Sequence, residues 1–166
     1  MSYIYIAMKQ MINIKKNCWV LPSNLIFFVT LLFLFSACDK RDNPVPTARF
    51  TVTIDLSFPD YNKEYFILNY DPYTHRTIGI SGILIVRGVT NDGNEGYNAF
   101  ERYCPHDQKI SCKVNFDDGF TTATCPCCES QFLVASPDGD VLEGPSVYPL
   151  KTYKTRLNGN RLTIYN

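Results

Sequence analysis

Two short stretches carry the residues able to do chemistry. Tyr103-Cys104-Pro105-His106-Asp107 is followed by Cys125-Pro126-Cys127-Cys128-Glu129-Ser130-Gln131-Phe132, with 18 residues between His106 and Cys125. Together they offer four thiolates and one imidazole on two turns, each stiffened by a proline. Soft sulfur donors with an imidazole select iron–sulfur clusters or zinc over hard cations. A Cys-Pro-Cys pair is cramped for one metal, so Cys125-x-x-Cys128 is the preferred pair over Cys125 with Cys127. The candidate donors are therefore Cys104, His106 and Cys125 with Cys128, or with Cys127 in its place.

The other cysteines sharpen this. Of seven, Cys18 and Cys38 lie near the N-terminus, and Cys104, Cys112, Cys125, Cys127 and Cys128 share one 25-residue window. A disulfide framework would scatter its cysteines along the chain, so clustering argues for a metal site with room for one local bridge.

The N-terminal part reads as a targeting segment. Lys9, Lys15 and Lys16 precede an apolar run from Leu25 to Phe35, broken only by Thr30, and Ser36-Ala37-Cys38 follows. A basic region, a short apolar run and small residues before a cut mark a secretory signal. The run is shorter than the roughly 20 residues that span a bilayer. Phe35-Ser36-Ala37-Cys38 resembles a bacterial lipobox, in which Cys38 is lipidated and becomes the new N-terminus. The expectation is a signal over 1–37, an extended tether over 38–49 rich in polar residues with Pro44 and Pro46, and one domain over 50–166. The protein would be exported and held by lipid at a membrane, on the periplasmic or outer-membrane side. Met8 and Met11 are alternative starts.

From Cys38 onward there are 13 Lys and Arg against 16 Asp and Glu. No basic patch or helix stands out, which excludes nucleic acid as a partner. The elements that must position the two stretches read as short strands. Phe50, Val52, Ile54 and Leu56 alternate with polar residues, a period of two. Tyr65 to Leu68 is a short apolar run, and Ile83-Leu84-Ile85-Val86 suits a buried strand. A turn cluster at 91–96 joins that run to Tyr97–Phe100 as a hairpin leading into Cys104. Asp117-Asp118-Gly119 marks a hairpin between 113–116 and 120–124. Gln131–Ala135, Val141-Leu142, and a last hairpin around Asn158-Gly159-Asn160 complete an all-β sandwich or barrel.

The spacing resembles the Rieske iron–sulfur family, whose two loops read C-x-H and C-x-x-H and hold a [2Fe–2S] cluster with two cysteines on one iron and two histidines on the other. The likeness covers Ile83 to Tyr165. It includes Gly144-Pro145, which resembles the family's proline loop over the cluster. The resemblance implies a small antiparallel fold with the cluster at one tip. It puts Cys104 and Cys125 on the inner iron and His106 and Cys128 on the outer one. Here the second histidine is replaced by Cys128, so the implied centre is an atypical Cys₃His [2Fe–2S] cluster.

The same likeness assigns roles nearby. Cys127 falls where some respiratory Rieske proteins carry a disulfide linking the loops, with Cys112 as its mate; two free buried thiols are the other reading. Ser130 stands where many of these proteins place a serine that hydrogen-bonds a cluster sulfur. Phe132 stands where they place a tyrosine, and Glu129 stands at a usual glycine. The implied function is one-electron transfer to an unnamed redox partner. No paired carboxylates, nucleophile–base pair or phosphate-binding glycine loop marks a self-contained enzyme. The competing readings are a structural zinc site built from the same Cys₃His residues, or a cluster-free binding module. Tyr61, Tyr65, Tyr70 and Tyr73 read as sheet packing. His75 reads as an exposed turn residue, and Asp117 and Asp118 as turn residues.

Overall fold

The computed structural model describes residues 42–166. The expected signal over 1–37, the expected lipid acceptor Cys38 and the start of the expected tether lie outside the described residues. Ten strands and no helix are found among the described residues. They are β1 (Thr51–Asp55), β2 (Tyr65–Leu68), β3 (Ile83–Val89), β4 (Glu95–Glu101), β5 (Asn115–Phe116), β6 (Thr122–Thr124), β7 (Gln131–Leu133), β8 (Val141–Glu143), β9 (Thr152–Asn158) and β10 (Arg161–Tyr165). One six-stranded sheet runs β1-β10-β9-β4-β3-β2, and one four-stranded sheet runs β5-β6-β7-β8. The strand pairs are antiparallel. The fold is all-β, as expected from the sequence.

The hairpin of β3 and β4 is the wall between two cores. Successive side chains on a strand point to opposite faces. Ile83 and Ile85 of β3, with Tyr97 and Ala99 of β4, enter a first core with Val52, Ile54, Leu162 and Ile164. Leu84 and Val86, with Phe100, enter a second core with Val114, Phe132, Val134 and Leu150. Burial of both faces is why β3 reads as a continuous apolar run rather than an alternating one.

β1 pairs with β10 and β9 pairs with β4, so the two ends of the domain close on one sheet. The packed body also reaches back before Phe50, into residues read as tether. Val45 is buried, Asn43 Nδ2 donates to Pro149 O at 2.9 Å, and Lys151 Nζ donates to Pro46 O at 3.0 Å.

A buried carboxyl group fixes the end of β4 where the chain enters the first ligand loop. Glu101 is fully buried. Its Oε1 accepts from Ser81 N at 2.9 Å and from Tyr103 N at 3.0 Å. Its Oε2 accepts from Ile80 N at 2.7 Å and from the Tyr153 hydroxyl at 2.6 Å. Four donors saturate a group that only accepts when ionised. Gly79 makes this close approach possible: at φ 67°, a Cβ there would lie 2.3 Å from Glu101 Oε2. Next to it, the buried Arg102 donates from Nε to Val114 O at 2.9 Å and from Nη1 to Asn69 Oδ1 at 2.8 Å, tying both ends of the loop together. Tyr153→Phe removes one hydrogen bond to the buried acid and is expected to lower unfolding free energy by about 1.5–3 kcal/mol, read from urea melts.

Candidate metal centre

Loop one runs from Cys104 to Cys112. Its base is closed by the Tyr103–Lys113 bridge and by Val114 N donating to Arg102 O at 2.8 Å. Loop two runs from Cys125 to Ser130 between β6 and β7, and Cys125 N donates to Ser130 O at 3.0 Å. A disulfide between Cys112 and Cys127, with Cα atoms 5.7 Å apart, ties one loop to the other. Cys127 is thereby drawn off to the bridge, and Cys128 is the residue that faces the site.

The Sγ atoms of Cys104, Cys125 and Cys128 and a carboxylate oxygen of Asp107 all lie within 4.8 Å of one another. Cys104 and Cys128 approach to 3.6 Å. The Cys125 thiol donates to Asp107 Oδ2 at 3.1 Å. His106 is different: it is exposed at the loop tip, and its ring nitrogens do not join this convergent set. Cys104, Cys125 and Cys128, three of the residues singled out in the sequence, are thus brought together, with Asp107 beside them.

Cys104 and Cys125 are fully buried and belong to the second core, beside Phe132, Val114 and Leu150. Burial pushes both thiols up from their ordinary value. It pushes Asp107 up as well, but hydrogen bonds from Cys128, Cys125 and Cys104 outweigh it and hold the carboxyl below the usual carboxylate value. The set is thus three sulfurs, two of them buried, facing one carboxylate oxygen. A metal that binds them must displace the thiol protons. Three soft donors and one hard one in a dry pocket suit an iron–sulfur centre or zinc.

A third segment covers the site. The fully buried Ser130 hydroxyl accepts from Ser146 N at 3.0 Å and from the Cys128 thiol at 3.2 Å. Gly144 has φ 98°, and a Cβ there would stand 2.6 Å from Ser130 Cα, so only glycine lets the Gly144-Pro145 segment lie against loop two. Phe132 is fully buried beneath the loop. Glu129 occupies the left-handed region at φ 60°, where its side chain projects to solvent.

The remaining sequence-singled residues lie away from the centre. His75 is exposed at φ 57° in the turn closed by its own N–H to Asp71 O. Tyr65 stacks on Phe120 and Tyr61 packs on Phe66, while Tyr70 and Tyr73 are exposed. Asp117 does more than turn the chain: its Oδ2 accepts from Thr122, Thr124 and Gln131, bracing the strands that present loop two.

No family model matches the chain. The cytochrome b6-f complex iron-sulfur subunit of Chlorobaculum thiosulfatiphilum is 32% identical over 76 residues, which is 46% of this chain and 38% of that protein. The same subunit of Chlorobaculum tepidum is 28% identical over 76 residues. A Rieske 2Fe-2S iron-sulfur protein of Bacillus subtilis is 34% identical over 64 residues, or 39% of this chain and 11% of the relative. Over these stretches the chain resembles Rieske iron–sulfur proteins. It spans under two fifths of the length of these curated relatives. Among solved structures, the plasma-membrane Rieske protein of the cyanobacterium Synechocystis is 25% identical, with a TM-score of 0.46, over 72% of this chain and all of that one.

Two substitutions test how the loops are held. Glu129→Gly relieves a left-handed residue and is expected to raise unfolding free energy by about 0.5–1 kcal/mol, measured in urea. Replacing both Cys112 and Cys127 by serine opens a loop closed over 15 residues. It is expected to cost about 3 kcal/mol, and a difference under about 1 kcal/mol would mean that the bridge does not restrain the unfolded chain.

Proposed function

We propose that this chain is a one-electron carrier that holds a [2Fe–2S] centre through Cys104, Cys125 and Cys128, with a fourth donor from the turn bearing His106 and Asp107. The observation that carries this reading is the convergence of three thiols from two loops, on a covered apolar core, in a chain that resembles Rieske iron–sulfur proteins. When bound, such a centre supplies reversible one-electron chemistry. The chain's own residues hold and shield it. Cys104 and Cys125 anchor it in the core, the Cys112–Cys127 bridge keeps the loops in register, and the Ser130–Ser146 contact holds the cover in place. His106, exposed at the tip, faces the redox partner. Lipid on Cys38 would keep the domain at a membrane on the exported side, within reach of that partner.

Replacing the family's second imidazole by the Cys128 thiolate adds negative charge beside the outer metal atom. Negative charge favours the oxidised state and lowers the potential. The midpoint is expected between the roughly −400 mV of all-cysteine plant-type centres and the roughly −150 to +300 mV range of two-histidine centres. Anaerobic purification of the full chain followed by redox titration checks this. A midpoint above about +200 mV would exclude thiolate ligation by Cys128.

A zinc reading is favoured by one feature. Four donors around a single tetrahedral ion at about 2.0–2.3 Å lie roughly 3.3–3.8 Å apart, and the Cys104–Cys128 separation of 3.6 Å falls in that range. Iron and acid-labile sulfide in a reddish-brown protein support the carrier; a colourless protein with stoichiometric zinc supports a structural site.

A further inference from the structure

Where the Rieske spacing has a second imidazole, this chain has the sulfur of Cys128. A sulfur can do what an imidazole cannot: it can bond to another sulfur. Cys104, Cys125 and Cys128 are free thiols. The Sγ of Cys128 in loop two lies 3.6 Å from that of Cys104 in loop one. Cys125 is engaged elsewhere, its thiol donating to Asp107 Oδ2 at 3.1 Å. Burial separates the two sulfurs in contact. Cys104 is fully buried, and Cys128 is the one free thiol of the three that solvent reaches. The Cys112–Cys127 bridge already joins the loops beside this contact, so the two sulfurs meet within one chain with little freedom left to lose. Disulfides form and persist where oxidants are present. Conditions that make the Cys112–Cys127 bridge therefore also act on its neighbours.

We propose that Cys104 and Cys128 are a reversible modification site: when no metal holds them, a small disulfide such as oxidised glutathione converts them into a second bridge between the loops. Exposure sets the order of events. The sulfur of Cys128, as thiolate, attacks one sulfur of the small disulfide. A mixed disulfide forms on Cys128, the reagent's own sulfur–sulfur bond breaks, and one small thiol leaves carrying the Cys128 proton. The sulfur of Cys104 then attacks Cys128 Sγ at close range. The mixed bond breaks, and a second small thiol leaves carrying the Cys104 proton. Two cysteine thiols are oxidised and one external disulfide is reduced to two thiols. Cys125 remains a free thiol beside Asp107. A bridged sulfur is no longer a thiolate and is lost as a metal ligand. Bridge and metal therefore exclude each other: a loaded site is protected, and a bridged site must be reduced before it can be loaded. This holds for iron–sulfur and for zinc alike, and for any choice of the remaining donor.

The test uses the full chain, stripped of metal by a chelator under anaerobic conditions and then incubated with oxidised glutathione. Free thiols are alkylated, and a tryptic digest is read by mass spectrometry without reduction. Trypsin separates Cys104 in peptide 103–109 from Cys112 in 110–113 and from Cys125, Cys127 and Cys128 in 114–151. The expected product joins 103–109 to 114–151 and leaves one alkylated cysteine in the longer peptide. With Cys128→Ser, peptide 103–109 is expected to come free with Cys104 alkylated; with Cys125→Ser, the join is expected to persist. The oxidised chain is expected to lose its uptake of iron and sulfide relative to untreated chain, and chain loaded first is expected to resist the join. The proposal is overturned by a join that persists in Cys128→Ser, by glutathione left on Cys128 with Cys104 alkylated, or by alkylation of all three cysteines in the unsubstituted chain. Failure of untreated chain to take up iron and sulfide instead sinks the electron-carrier reading, and the peptide map still decides the bridge.

Discussion

The sulfurs of Cys104 and Cys125 are part of a hydrophobic core, and the rest of the molecule is arranged around that constraint. They pack with Phe100, Phe132, Val114 and Leu150 at the end of the second core, where water cannot reach them. A thiolate in such a place is expensive to leave unpaired, because burial penalises the charged form. Either the sulfurs keep their protons and donate them to Asp107, or a cation takes the protons' place. Both states need the same inward-facing geometry. The site is therefore the open end of a core rather than a cleft on its surface.

That geometry is held from two sides. On the far side stands the β3–β4 wall, whose alternate residues serve the first and second cores in turn. A shift of one residue in its register would exchange Leu84 and Val86 for Ile83 and Ile85 and break both cores at once. At the end of the wall Glu101 and Arg102 convert strand into loop: the acid collects donors from the 79–82 turn, Tyr103 and Tyr153, and the guanidinium spans to Val114. The near side is held by the Cys112–Cys127 bridge and the 144–146 cover. Rigid support on both sides suits an electron carrier, since little of the polypeptide needs to rearrange when charge at the centre changes.

Much of this was legible before the coordinates. The alternation from Phe50 to Leu56 marks β1, the unbroken Ile83–Val86 run marks a strand buried on both faces, and the Asp-Gly and Asn-Gly turns mark hairpins that are present. Other features had no local signal. The pairing of β1 with β10 and of β4 with β9 joins segments far apart in sequence. The docking of Val45 and Asn43 depends on Lys151 and Pro149, about a hundred residues away. The direction of His106 and Asp107 was harder still. A histidine two places after a cysteine carries a familiar signal and an aspartate does not. Which one faces inward is decided by a turn whose closing residue, Gln108, gives no hint of positive φ in its type.

Ser130 shows how the cover and the centre communicate. With Cys128 protonated, the serine oxygen accepts two hydrogen bonds, from the thiol and from Ser146 N. A thiolate has no proton to give, so once Cys128 ligates a metal the only proton between the two atoms is the serine's own, and the bond must reverse. Ser130 then donates to the sulfur while still accepting from Ser146 N. The contact to the cover survives in either state, but only the ligated state draws electron density from the sulfur, and hydrogen bonds to sulfur are a lever on reduction potential. Because Gly144 is pressed against the Ser130 backbone, that lever is set by the seating of the 144–146 segment and not by Ser130 alone. In a cluster-loaded protein, a hydroxyl at this one buried position would link the packing of the 144–146 segment to the electron affinity of the centre.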